Sequence, residues 1–267
     1  MQKTKHMKKN QLFQILVYFQ NILKSQFRSI KFYICLFLLV TPTIATFILL
    51  SQDFEIVQAY SQLDKDMVIF WSGYLAHSLR FFPIFCIILT CNIVSEHFEK
   101  KTAPFTFTLP MSRSKILVIT VLTYELIFVG MILLGLIIFQ ITDLFVFNHR
   151  ISIEGFLFAI LFHIVTLNIW FSLCYLLSTL TRNTIVSLSL PLVYMFIELL
   201  LPSTGSWSFL SITHSSVKLL DKITSLVIGE TISLSQIVVP VVIFLSITTT
   251  LITGSIWLFS KQDLRTD

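Results

Sequence analysis

"EHFEKKTAPFTFTLPMSRSK", residues 96–115, stands between two runs of almost pure hydrocarbon at 68–94 and 116–142. A segment so charged and bounded by prolines cannot lie in a bilayer core, so the flanking runs read as two separate spans. The same division continues in both directions. About 20 apolar residues are needed for a helix to cross the hydrocarbon, and six segments qualify: 32–50, 68–94, 116–142, 153–180, 184–201 and 237–259. The fourth and fifth are separated only by the turn "TRN" at 181–183, where Arg182 and Asn183 mark the break.

Composition demands such a reading. Only 12% of the 267 residues are charged, against roughly 25% in a soluble domain, and 55% are hydrophobic. The expected fold class is an all-α integral membrane protein with a six-helix transmembrane domain over 32–259. The net charge of +5 does not point to nucleic acid, because the basic residues cluster beside apolar runs and serve as topology signals. With the N-terminus inside, Lys and Arg number 14 on the cytoplasmic side and 4 on the outer side. The expectation is therefore a multi-pass plasma-membrane protein with both termini cytoplasmic, including a tail at 260–267, and with 95–115 as a cytoplasmic loop. No cleavable signal peptide is expected, since about thirty residues precede the first long apolar run.

Two other segments carry helical stripes. Over 10–31, Leu12, Leu16, Phe19, Leu23, Phe27 and Ile30 recur at spacings of three and four, which predicts an interfacial amphipathic helix at the end of the 1–31 tail. In the outer loop 202–236, Leu219, Leu220, Ile223, Leu226 and Val227 predict an amphipathic or re-entrant helix, with Trp207 and Phe209 as interface anchors. Cys35, Cys86, Cys91 and Cys174 all fall in apolar runs and read as inert buried thiols.

Several chemistries have no residues to support them. None of the seven glycines is followed by Lys, so a phosphate-cradling P-loop is missing. The histidines form no HExxH and no i, i+4 pair, which removes the usual zinc spacing. No Gly-x-Ser-x-Gly elbow is present either.

Within the loop, Pro104 favours a new short helix after Thr102, with Thr102 near the cap and Pro110 ending the element. The alternation of Phe105, Phe107 and Leu109 with Thr106 and Thr108 suits an extended segment equally well. Either form presents aromatic side chains to the cytoplasm, where a partner surface would explain them. A solvated, positive-inside loop without a partner would carry the same charges.

The pattern E-x-x-E-K-K-T followed by L-P-M-S-R-S-K-I resembles the segment after the second span of ABC-2 type ABC transporter permeases. Glu96 and Glu99 match that family's acids, Thr102 its threonine, and Pro110, Ser112 and Arg113 its closing Pro-Val-Ser-Arg. Two departures are Lys101, where the family carries glycine, and Pro104, where it carries a helix former. The turn "LLSTLTRNTIVSLSL" (176–190) and the ending "WLFSKQDL" (257–264) are similar to the family's as well. The resemblance implies a permease subunit of ABC-2 exporter architecture, without cofactors of its own, working with a second permease subunit and a separate ATPase that holds ATP and Mg. That ATPase would press on the loop through Glu96, Glu99, Lys100, Thr102, Phe105, Pro110 and Arg113.

Charges at bilayer depth are the remaining signal. Arg80 and Glu198 each fall about 21 Å from the cytoplasmic ends of their spans, with His163 in the same layer and Glu125 shallower at about 14 Å. An Arg80–Glu198 pair is expected, within one subunit or across a dimer seam, either fixing helix register or touching substrate. Two alternatives to transport remain open. One is an intramembrane enzyme using Glu125, Glu198, His77 and His163, and the other is a permease-like anchor or sensor subunit.

Overall fold

Ser29 decides where the first helix ends. Its N–H donates to the Gln26 carbonyl at 3.0 Å, while its own carbonyl and hydroxyl accept from Phe32 N at 3.1 and 3.3 Å. A serine in this role caps a new helix, so the amphipathic segment stops at Phe27, and Ile30 and Lys31 belong to the next element. The expected boundary at residue 31 is corrected accordingly. The computed structural model describes the backbone of residues 2–52, 65–106, 112–147, 153–200, 211–227 and 233–261. Every regular element among them is helical: α1 (Gln2–Phe27), α2 (Ile30–Gln52), α3 (Lys65–Thr90), α4 (Ser95–Glu99), α5 (Ala103–Thr106), α6 (Arg113–Phe147), α7 (Ile153–Thr181), α8 (Thr184–Leu200), α9 (Ile212–Val227) and α10 (Ser235–Lys261).

Five of these helices are long and apolar enough to cross a membrane, at Ile30–Ile48, Gly73–Glu99, Arg113–Phe145, Gly155–Thr181 and Ser235–Lys261. The expected fifth span, 184–201, is the apolar helix α8. Its 17 residues reach about 25 Å, short of the roughly 30 Å hydrocarbon core. The chain is thus a helical multi-pass membrane protein.

Helix α3 occupies the centre. Its span is 78% buried within the chain, and it touches α2, α6, α7, α8 and α9. A run of rings ties it to its neighbours: Phe82–Phe85 at 5.2 Å, Phe85–Phe128 at 5.7 Å and Phe128–Phe171 at 6.1 Å between centroids. Each such pair adds about 0.5–1.5 kcal/mol beyond the area it buries. Gly135 lets α6 come close, since a Cβ there would sit 3.2 Å from Phe82 Cζ. Helix α10 is the opposite case, packed on α6 and α7 but only 11% buried. Its free side carries exposed Val238, Val242, Leu245 and Trp257, and its exposed hydroxyls on Ser246, Thr249, Thr250 and Thr253 each donate to the carbonyl four residues earlier, which leaves a surface that lipid or a second membrane helix can cover. All four cysteines are buried free thiols, as their positions led one to expect.

The exposed residues of α1 show which way it turns. Phe13, Leu16 and Phe27 face outward, whereas Gln26 is buried and Tyr18 and Ile22 lean on the core. The inward face therefore runs through Tyr18, Ile22 and Gln26, against α6. Of the predicted stripe, Leu16 and Phe27 face outward, whereas Leu23 packs on the core and Ile30 begins α2.

Candidate functional site: the junction between the α3–α6 loop and the α7–α8 turn

The loop after α3 is two short helical turns rather than one. Helix α4 begins with the orphan N–H groups that every helix start exposes, and a residue 83 positions away satisfies them. The hydroxyl of Ser178, on α7, accepts from Val94 N at 3.1 Å and from Ser95 N at 3.0 Å, and is itself fully buried. Ser95 Oγ also meets Thr184 Oγ1 at 2.9 Å. The latch therefore joins the loop to both α7 and the start of α8.

The other end of α4 closes with its own geometry. Thr102 N donates to His97 O at 2.8 Å and Lys101 N to Phe98 O at 3.0 Å, the paired bonds of a Schellman cap. That cap requires a left-handed residue in the position Lys101 fills, and Lys101 has φ 55°. The lysine thus adopts the conformation that glycine would take without strain, so the departure at this position leaves the turn intact. Left-handed backbone costs an ordinary L-residue about 1–2 kcal/mol, and glycine gives part of that back in entropy. Lys101→Gly is therefore expected to stabilise the turn by about 0.5–1 kcal/mol. Slower hydrogen exchange at the Thr102 amide would register the gain, and Lys101→Val should move it the other way.

Helix α5 follows as the short helix the sequence favoured, with Thr106 N bonded to Thr102 O at 2.9 Å. Its placement over Ala103–Thr106 puts Pro104 one residue later than the first helical position. Residues 107–111, Pro110 among them, lie outside the described residues, as do the side chains of Pro104 and Phe105. Arg113 is the first residue of α6 and half-buried.

Two charged residues complete the junction. Glu99 is exposed and reaches across to α8: its Oε1 accepts from Thr184 N at 2.6 Å, a carboxylate at a helix N-terminus where the dipole favours negative charge. Asn183 Oδ1 takes the next two donors, Ile185 N at 2.9 Å and Val186 N at 3.2 Å. Arg182, left-handed at φ 54°, places its guanidinium carbon 4.6 Å from the centre of the Phe98 ring. Phe98 in turn meets Phe259 of α10 edge-on at 6.2 Å. Cation–π contacts of this kind contribute about 0.5–2 kcal/mol. Glu96 is engaged within the loop, accepting from both Asn92 Nδ2 and Lys100 Nζ. Thr102 Oγ1 lies 3.3 Å from His97 Nδ1.

Between α1, α6 and the loop lies a polar cavity of about 300 Å³, lined by Asn21, Ser25, Asn92, Glu96 and His97 among others. Gln26 Nε2 donates to Tyr124 OH at 2.5 Å and Tyr18 OH meets Thr120 Oγ1 at 3.2 Å, so α1 is bonded to α6 beside it. Burial raises the Tyr18 phenol above its ordinary value, only partly countered by Thr120. It therefore keeps its proton, and with it the bond.

The intramembrane residues do not gather. Within the chain Arg80 and Glu198 do not pair, which corrects that expectation for a single subunit. Glu198, 1% exposed, accepts from Ile212 N at 2.6 Å, Thr213 N at 3.1 Å and Thr213 Oγ1 at 2.7 Å. Three donors at the open start of α9 hold the carboxylate better than a side chain on another helix could. Arg80 is exposed on α3. His163 is fully buried near the same level, its Nε2 2.6 Å from Ser78 Oγ and its Nδ1 2.7 Å from Ala159 O. Glu125 takes a hydrogen bond from Asn168 of α7. Of the groups named for acid–base chemistry, Glu125, Glu198 and His163 thus have separate surroundings, and His77 is half-buried on α3. Ser178, Ser78 and Asn168 were not singled out from the sequence; their signal is a small polar residue inside an apolar span, which is too common to select one. No family model and no curated protein matches the chain.

Proposed function

We propose that this chain is the membrane-spanning permease subunit of an ATP-driven exporter of the ABC-2 type, moved by a separate ATPase at the loop between α3 and α6. The observation that carries the reading is the junction itself. Ser178, Glu99 and the Arg182–Phe98 contact fasten the loop to α7, α8 and, through Phe259, α10. A push on the loop is then delivered to several helices at once instead of being lost in a flexible tether. A merely solvated loop needs no such attachment.

In this reading α8 is a crossing as well, the fifth of six in chain order, running back along α7 from the 181–183 turn, and both termini and the loop face the cytoplasm of a plasma-membrane protein. Six spans supply one half of an alternating-access path, so a second permease subunit, identical or related, completes it. Arg80, exposed at mid-span, would then find its partner on that subunit or in the path between the two. Glu99 acts as a positioning residue that holds the loop on α8, while Arg113 and Lys100 belong to the face offered to the motor.

Purification of the tagged chain from its own membranes in mild detergent provides the test. A P-loop ATPase without spans is expected to accompany it, to be lost with Arg113→Glu, and to remain bound but no longer stimulated with Glu99→Gln. Purification free of any ATPase overturns the reading and leaves an anchor or sensor.

A further inference from the structure

Helix α3 is the most buried of the five spans, with 78% of its length enclosed by the rest of the chain, and it shows the outside one narrow strip. Tyr74, Ser78, Phe82 and Phe85 are buried, whereas Gly73, His77, Ile84 and Ile88 are half-buried and Arg80 is exposed. Gly73, His77, Arg80, Ile84 and Ile88 follow one another at spacings of four and three, so they lie along one helix face. Apart from Arg80, residues 67–95 contain no Asp, Glu, Lys or Arg. The arginine therefore stands one residue from the midpoint of an uncharged stretch. Asp66 is about 21 Å away along the helical rise in one direction and Glu96 about 24 Å in the other.

A charge so placed calls for a partner or a wet cavity. Among the described residues the chain supplies no partner: neither Arg80 nor His77, one turn earlier, takes part in a hydrogen bond or an ion pair. An identical copy has no carboxylate to spare. Among the described side chains of the apolar helices the acids are Glu125, Asp143 and Glu198. Asp143 and Glu198 are buried, Glu198 across the start of α9, and Glu125 is half-buried with its hydrogen bond from Asn168. Lipid head groups lie about 15 Å off, at the edges of the hydrocarbon. The rest of the strip is apolar, through Ile84 and Ile88 with Ala76 and Phe81 at its shoulders. An inorganic anion would satisfy Arg80 and leave that surface bare.

We infer that this strip is the face of the transport path that meets the cargo, and that the cargo is an anionic amphiphile. Arg80 holds its phosphate or carboxylate, with His77 one turn away on the same face, and its hydrocarbon lies along Ile84 and Ile88. The guanidinium fork suits either head group, because it offers two parallel N–H donors. This assignment rests on the reading of the chain as a permease.

The full chain in phosphatidylcholine nanodiscs is titrated with dansyl-labelled undecanoate, with empty nanodiscs as the background. Competitors of one chain length then follow: tetradecanoate, tetradecyl phosphate, tetradecanol and tetradecylammonium. The two anions are expected to displace the probe, their order telling phosphate from carboxylate, and the alcohol and the ammonium to leave it in place. Arg80→Gln should weaken probe binding by roughly tenfold or more, the weight of hydrogen bonds to a charged group, and Arg80→Lys should keep most of it. Equal displacement by all the competitors overturns the inference, as does full-strength probe binding by Arg80→Gln. It is also overturned if Arg80→Gln releases a second subunit while probe binding persists, because the arginine would then pair with an acid there. The titration needs no ATPase, so the two readings fail separately. A chain purified free of any ATPase removes the export reading and leaves the anion site standing, whereas an ATPase-bound chain that ignores head-group charge removes the site alone.

Discussion

Ser178→Ala is expected to release the loop from α7. The hydroxyl accepts from two main-chain N–H groups, Val94 and Ser95, in a place with no access to water. Each donor left without a partner in such a place costs about 1–3 kcal/mol, and alanine supplies no acceptor. A loss of about 2–4 kcal/mol is expected, appearing as exchange of the Val94 and Ser95 amides faster by roughly two orders of magnitude. The Phe82–Phe85–Phe128 core should stay protected, because it lies along α3 away from the latch. Ser178→Thr, which keeps the hydroxyl, should retain most of the protection. Glu99→Ala removes the neighbouring fastening at Thr184 N. Combined with Ser178→Ala it should cost something other than the sum of the two, since both act on one loop. Unchanged exchange at Val94 and Ser95 in the alanine variant would show that the loop is not held from α7.

Glu198→Ala should be the most damaging single change at the other end of the molecule. Its carboxylate serves three donors at the start of α9, and hydrogen bonds to a charged acceptor are about twice as strong as neutral ones. Removing it leaves the buried Thr213 N–H and the part-buried Ile212 N–H unpaired and withdraws negative charge from the helix N-terminus. A cost of about 3–5 kcal/mol follows. Glu198→Gln, which keeps one oxygen acceptor without the charge, should lose about half of that. The measurement is protease sensitivity and amide exchange over α9, together with the thermal midpoint in detergent. If α9 detaches, Leu219, Leu220 and Ile223 lose their contact with the core, and cleavage should concentrate there. An α9 as protected in Glu198→Ala as in wild type would contradict the capping role.

The charge at Glu198 shows where reading residues in order stops working. Depth along a span is legible in the sequence as a count of residues. Depth says nothing about azimuth, however, and opposite charges at one level suggest a pair whether or not their helices face each other. The competing partner was the start of α9, an array of main-chain donors that no side-chain pattern announces. The Lys101 position is the converse case. A lysine stands where glycine would be free of strain, yet the turn is closed by main-chain hydrogen bonds from Lys101 and Thr102 back to Phe98 and His97.

The sequence by itself determined that this chain belongs in a membrane, where its helices run, and that a polar loop divides the spans over 68–94 and 116–142. Those properties depend on composition and on periodicity along one segment, so each segment declares them alone. Tertiary structure alone decided that α8 falls short of a full crossing length, that the loop is bolted to the α7–α8 turn, and that α3 leaves only the strip around Arg80 open to the outside. Such outcomes rest on single hydrogen bonds and close contacts between residues 14 to 85 positions apart. Many pairings satisfy the same pattern of apolar and polar residues, and only packing selects among them.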